Sequence, residues 1–200
     1  MAVVGLGYVG LPLAIACSES GFSVLGLDVD ASKAEHLLAG RSYIKYMPYE
    51  IIERLVSSER FDASTDFARV SEVDAILLCV PTPLTKNQVP DMSFIVATAE
   101  SIAPHLRKGQ LVALESTTYP GTTTEVLRPI LERGGLRSGE SIYVAYSPER
   151  EDPGNASFSM ATIPKVVGGD GTEASERRRT CMGRSRPVSC RFLQRRRPKS

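Results

Sequence analysis

Tryptophan is absent from this chain, histidine occurs twice and cysteine four times. Each scarcity closes off a class of protein. Cys17, Cys79, Cys181 and Cys190 share no metal-ligand spacing, so neither a zinc site nor the disulfide framework of a small secreted domain is expected. Cys17 and Cys79 stand in apolar helix-like and strand-like contexts and read as buried thiols of a cytoplasmic protein. His36 and His105 both fall on predicted helices and read as structural or solvated rather than catalytic. Met1 to Cys17 is almost wholly apolar, yet no Lys or Arg precedes the run and glycines interrupt it, which argues against an export signal. The uncharged stretch ends at Glu19, so no membrane span is expected either.

Acidic residues are missing from one region only. Residues 1–176 carry 14 basic against 23 acidic side chains, whereas residues 177–200 carry ten basic and no acidic ones. The overall charge of +1 conceals this asymmetry. Hydrophobic periodicity also stops near residue 177, and Pro187 and Pro198 forbid a long helix there. The expected organisation is therefore one domain over 1–176 followed by a basic, disordered tail over 177–200. A reading-frame change is the expected origin of that tail, with a native basic tail as the alternative.

What is present begins at once. "GLGYVGLPLA" places Gly5, Gly7 and Gly10 between the apolar "AVV" and a helix-like run. Such glycines allow a tight turn, close backbone approach to a pyrophosphate, and close packing of the following helix on a sheet. The helix N-terminus then offers N–H groups and partial positive charge to phosphates. "FSVLGLD" reads as the second strand and ends at Asp28, 18 residues after Gly10. A carboxylate there can accept from both ribose hydroxyls of an adenosine and would repel a 2′-phosphate. The plainer reading of Asp28 is a turn residue before Asp30, the expected N-cap of the next helix.

Strand and helix patterns then alternate, as in βαβ units. "ASKAEHLLAG" and "EIIERLVSS" read as short helices, and "DAILLCV" as a central parallel strand. "DMSFIVATAESIAPHLRKG" reads as a helix with Ile95, Ala99, Ile102 and Leu106 on one stripe. "QLVALE" and "SIYVAY" are further strands, and "PKVVGG" one more. Between them "TTTEVLRPILERGG" should open with a Thr122–Glu125 capping box and be kinked or broken at Pro129. The fold class is α/β: a doubly wound, mostly parallel Rossmann-type sheet with helices on both faces.

In such a sheet ligands bind beyond the carboxyl ends of the strands. "PTPL" follows one strand, with Thr82 between two prolines; "STTYPG" follows the next, with hydroxyls at Ser116, Thr117 and Thr118; "SPERE" follows a third, with Glu149 and Arg150. Each segment alone could be an ordinary loop. Together, at successive strand ends, they point to one crevice. A carboxylate there suits general acid/base work, and an Arg offers a planar fork to an anion.

"GLGYVGLPLA", "LDVD", "CVPTPL", "ESTTYPGTT" and "YSPEREDPGN", in that order, resemble the N-terminal domain of the nucleotide-sugar 6-dehydrogenase family, which includes UDP-glucose and GDP-mannose dehydrogenases. "SPEREDPGN" is most similar to the UDP-N-acetylhexosamine branch. The resemblance implies an NAD-dependent, four-electron oxidation of a sugar C6 alcohol to a carboxylate. It implies that Gly5, Gly7, Tyr8, Val9, Gly10 and Asp28 hold NAD, with Lys33 near the adenosine ribose. Thr82 and Thr117 would contact the cofactor, Thr117 would help order the reacting end, Glu149 would sit at the catalytic crevice, and Arg150 would contact the UDP-sugar. The family's catalytic Cys, in a GGHCIP-like motif, and the Lys and Asn of its linking helix find no match in these 200 residues. Neither Cys181 nor Cys190 has the glycine-rich setting, so this chain reads as the cofactor-binding half, inactive alone. The family's homodimer is carried by that same linking helix. Two other readings compete: a non-catalytic NAD-binding module whose basic tail engages nucleic acid or acidic surfaces, and another Rossmann dehydrogenase of the hydroxy-acid type. Neither nucleic acid nor membrane is the expected partner.

Overall fold

The short apolar runs of the sequence become the strands of one sheet. A computed structural model describes residues 1–45, 47–148, 166–174, 176–178 and 191–192. The strands are β1 (Ala2–Val4), β2 (Val24–Leu27), β3 (Phe61–Ser64), β4 (Ala75–Leu78), β5 (Leu111–Leu114), β6 (Tyr143–Tyr146), β7 (Val166–Gly169) and β8 (Arg191–Phe192). Their order across the sheet is β3-β2-β1-β4-β5-β6-β7-β8. All neighbours are parallel except β6 and β7. Parallel central strands are covered on both faces, which is why β1, β2 and β5 are buried at every position.

Alternation along each strand divides the core in two. Val3, Leu77, Ala113 and Ala145 face α1 (Gly10–Glu19), α2 (Ala31–Leu38) and α3 (Tyr49–Ser57). Val4, Leu78, Leu114 and Val144 face α4 (Ser93–Ile102) and α5 (Arg128–Leu131). Helices on both faces make the sheet doubly wound, as the strand–helix alternation predicts. Ile95, Ala99 and Ile102 of the predicted stripe are fully buried on α4, and Asp30 caps α2 through the Ser32 N–H at 3.0 Å.

Three sequence expectations change. The reading overlooked β3, an edge strand in which Phe61 and Ala63 are buried while Asp62 is exposed. The Thr122–Glu125 capping box does not form. Gly121, at φ +103°, supplies the first acceptor to the Glu125 N–H at 2.8 Å, and the Thr122 hydroxyl donates back to the Tyr119 carbonyl at 2.9 Å. A wide π-helical turn over Thr122–Leu127 then gives way to α5 at Pro129, where the ring removes an N–H donor.

The third change concerns the boundary expected after residue 176. Residues 172–174 and 176–178 are helical. Arg177 stacks 3.9 Å from the Tyr143 ring centroid and pairs with Glu173 at 2.9 Å. Arg178 is buried against Glu115. Both arginines therefore belong to the packed domain: an aromatic face and a buried carboxylate give their charges partners that composition alone does not reveal. In the remaining segment, Arg191 and Phe192 pair with Val166 and Val167, using the open backbone edge of β7.

Candidate nucleotide-binding site

Strand register brings the sequence motifs together. Val4 is paired with Leu27 and with Leu78, Leu78 with Leu114, and Leu114 with Tyr146. These five residues form one row across the sheet. The chain leaves that row at Gly5, Asp28, Cys79, Glu115 and Ser147, so every motif begins at the same edge. The order of strands reverses at β1, with β2 and β3 laid to one side and β4 to the other, so the switch point where α/β sheets open a crevice lies between β1 and β4.

The glycine turn has a separate reason at each glycine. Gly5 adopts φ +90°, and a Cβ there would lie 2.7 Å from the Cys79 carbonyl oxygen. A Cβ at Gly10 would collide with the Gly5 carbonyl, so α1 packs on the turn only with glycine there. At Gly7 an added Cβ would meet nothing within 4 Å. The fold itself does not require that glycine; open space above the backbone suits the approach of a phosphate. Tyr8 is 63% exposed beside it, and Val9, half-buried, leads into α1. The helix begins at Gly10.

Asp28 is 4% exposed and its carboxylate is already engaged. Oδ2 accepts from the Leu6 N–H at 2.7 Å and from Lys33 Nζ at 2.8 Å, and Oδ1 accepts from the Asp30 N–H at 3.0 Å. A carboxylate has about four acceptor positions, so a two-hydroxyl ribose contact requires Lys33 to yield its place. Lys33 thereby falls beside the expected ribose position. Tyr43, which belongs to no motif, donates its hydroxyl to the Leu6 carbonyl at 2.5 Å. Burial, then the charges of Asp28 and Asp30, push its phenol well above the ordinary value, so the hydroxyl stays a donor.

On the other side of the crevice, hydroxyls act first as struts. Thr82, half-buried between Pro81 and Pro83, donates to the Thr117 carbonyl at 2.8 Å and so joins the loops after β4 and β5. Ser116 turns inward to the Val80 carbonyl at 2.5 Å. Tyr146 accepts the Thr118 N–H at 3.3 Å. That leaves Thr117 exposed at the rim. Beneath this loop the buried Glu115 carboxylate accepts from Arg178 Nε at 3.1 Å and from its Nη2. Glu149 and Arg150 lie outside the described residues. Sequence reasoning missed Tyr43, Tyr146 and the Glu115–Arg178 pair, whose partners are 28 to 63 residues apart. Among the described residues no helix is long and apolar enough to cross a membrane, and no group of His, Cys, Asp and Glu could hold a metal ion.

Comparison with known proteins agrees with this geometry. Residues 1–182 match the model of the UDP-glucose/GDP-mannose dehydrogenase family, NAD binding domain. The UDP-N-acetyl-D-glucosamine 6-dehydrogenase of Pseudomonas aeruginosa is 36% identical over 178 residues, 88% of this chain and 41% of that protein. The UDP-N-acetyl-D-mannosamine dehydrogenase of Yersinia pestis is 36% identical over 185 residues, 88% of this chain and 43% of that protein. The solved UDP-D-ManNAc dehydrogenase of Pyrococcus horikoshii superposes with a TM-score of 0.89 at 29% identity, covering 96% of this chain and 46% of that one. The chain thus spans less than half the length of the relatives it matches. A glycine turn with open space at Gly7, a buried acid closing the second strand, and a family match spanning both lead to one conclusion: the chain belongs to the UDP-glucose/GDP-mannose dehydrogenase family and carries its NAD-binding domain.

Proposed function

We propose that this chain supplies the cofactor-binding half of a nucleotide-sugar 6-dehydrogenase that oxidises the C6 hydroxyl of a UDP-sugar, a UDP-N-acetylhexosamine or UDP-glucose, to the uronic acid. The observation that carries this reading is the single row of strand ends, which gathers the glycine turn, Asp28, Thr82 and Thr117 at one edge. The names of relatives such as the P. aeruginosa enzyme support the substrate class.

NAD, when bound, supplies the hydride acceptor for alcohol oxidation. The protein's own contribution begins with the turn, where Gly7 leaves room for the pyrophosphate and α1 directs its N-terminal charge at it. Asp28 and Lys33 hold the adenosine ribose. Thr82 fixes the Thr117 loop, so that Thr117 faces the reacting end from a backbone that cannot drift. Glu149 would hold or move a proton at the sugar, and Arg150 would fork onto the anionic substrate. The partner expected of the whole protein is a second copy, and its site of action the cytoplasm.

Two assays on the purified chain test the reading. Calorimetry should show NAD binding, and UDP-N-acetylglucosamine should then give no steady NADH production, because no GGHCIP-like nucleophile motif is present. Turnover that persists after alkylation of Cys181 and Cys190 would contradict the proposed division of labour. Fusing residues 1–178 to the remaining part of the P. aeruginosa relative should yield oxidation of UDP-N-acetylhexosamines. A fusion that binds NAD yet oxidises no UDP-sugar would overturn the substrate class.

A further inference from the structure

We propose that Tyr43 is a positioning residue for the cofactor's pyrophosphate, acting through the Leu6–Gly7 peptide. The inference rests on the NAD-binding reading and extends it to a loop residue that makes no strand-end motif.

The starting point is covalent. A peptide unit is planar and trans, so the Leu6 carbonyl and the Gly7 N–H belong to one rigid plate and point in opposite directions. Tyr43 grips the carbonyl end of that plate, donating at 2.5 Å from a hydroxyl 37 residues away in sequence. The opposite end, the Gly7 N–H, is thereby aimed away from Tyr43. At Gly7 an added Cβ would meet nothing within 4 Å, so the backbone there is open to a ligand.

The rest of Leu6 is held as firmly. Its N–H donates to Asp28 Oδ2 at 2.7 Å. Its side chain is fully buried, tight enough that a Cβ at Gly26 would lie 3.0 Å from Leu6 Cδ1. With the amide and side chain fixed, the remaining freedom is rotation of the Leu6–Gly7 peptide, and the Tyr43 hydroxyl removes it. Burial together with Asp28 and Asp30 disfavours the phenolate, so Tyr43 keeps the proton it must donate. Its ring packs against the core and makes an edge-on contact with His36, centroids 6.5 Å apart. A turn whose N–H groups are aimed beforehand binds an anion without first ordering itself.

The test is Tyr43→Phe in the 200-residue chain, which keeps the ring and deletes only the donor. Calorimetry with NAD and with ADP-ribose should show both dissociation constants rising together, by about fivefold, the scale of one hydrogen bond. The ligand-free amide resonance of Gly7 should shift in the 1H–15N spectrum. Ile44→Val, a small deletion of a buried neighbour, controls for loop stability and should leave both constants unchanged. An NAD constant within twofold of wild type in Y43F, or an equal loss in I44V, would overturn the role of Tyr43 while leaving NAD binding intact. A wild-type chain that binds neither ligand would overturn the cofactor reading and the role together.

Discussion

The two sides of the crevice are built from different parts of the chain. On the β1–β2 side, the proposed adenosine and pyrophosphate position is framed by the first 43 residues. Leu6, Asp28, Lys33 and Tyr43 form one hydrogen-bonded set around the glycine turn. On the β5–β6 side, the Thr117 loop is held by struts from distant segments: Thr82 from the preceding strand end, Tyr146 from the following one, and Arg178 under Glu115 from near the end of the described domain. The first side is a local motif that carries its own support. The second depends on the domain having closed around it. Damage far along the chain should therefore reach the reacting end before it reaches the adenosine grip.

The largest expected effect tests that dependence. Arg178→Met leaves the buried Glu115 carboxylate without its guanidinium and should cost about 3–5 kcal/mol of stability, the scale of a broken buried pair. Adding Glu115→Gln removes the buried charge and should recover most of the loss. Urea unfolding of both variants measures this, and a single variant as stable as wild type would remove Arg178 from the domain. Gly10→Ala breaks the other side, because its Cβ collides with the Gly5 carbonyl. It should cost about 1–3 kcal/mol, the usual penalty of overpacking, and impair NAD binding. Gly7→Ala sharpens the contrast. With nothing near the added methyl, stability should stay within about 0.5 kcal/mol while NAD affinity falls. Asp28→Ala should weaken NAD by about 1–3 kcal/mol, as for a hydrogen bond to a charged group. At the surface, Arg177→Ala deletes an exposed pair with Glu173 and a stacking contact on Tyr143. It should cost no more than about 1 kcal/mol, and part of that should vanish at high salt.

The same division explains what the sequence could reveal. The glycine turn and Asp28 were legible because their chemistry demands particular residues at fixed short spacing, and the central strands because burial on both faces leaves continuous apolar runs. The doubly wound, mostly parallel sheet followed from the alternation of strands and helices. β3 escaped notice because an edge strand with Asp62 turned to solvent has no such run. Tyr43 escaped because a single aromatic in a loop carries no period, and its partner lies 37 residues away. The Thr122 cap was misread because Gly121 in a left-handed conformation offered a better first acceptor. Arg177 and Arg178 sit at the start of a strongly basic stretch, so composition pointed to solvent; one aromatic ring and one buried carboxylate decided otherwise.

If this edge of the sheet is an NAD site, Asp28 is the residue that selects the cofactor. Titrating the unmodified chain with NAD and with NADP by calorimetry tests it most directly. NAD should bind and NADP should bind more weakly, because a 2′-phosphate would be brought against the buried carboxylate. NADP binding as tightly as NAD, or neither binding at all, would contradict it.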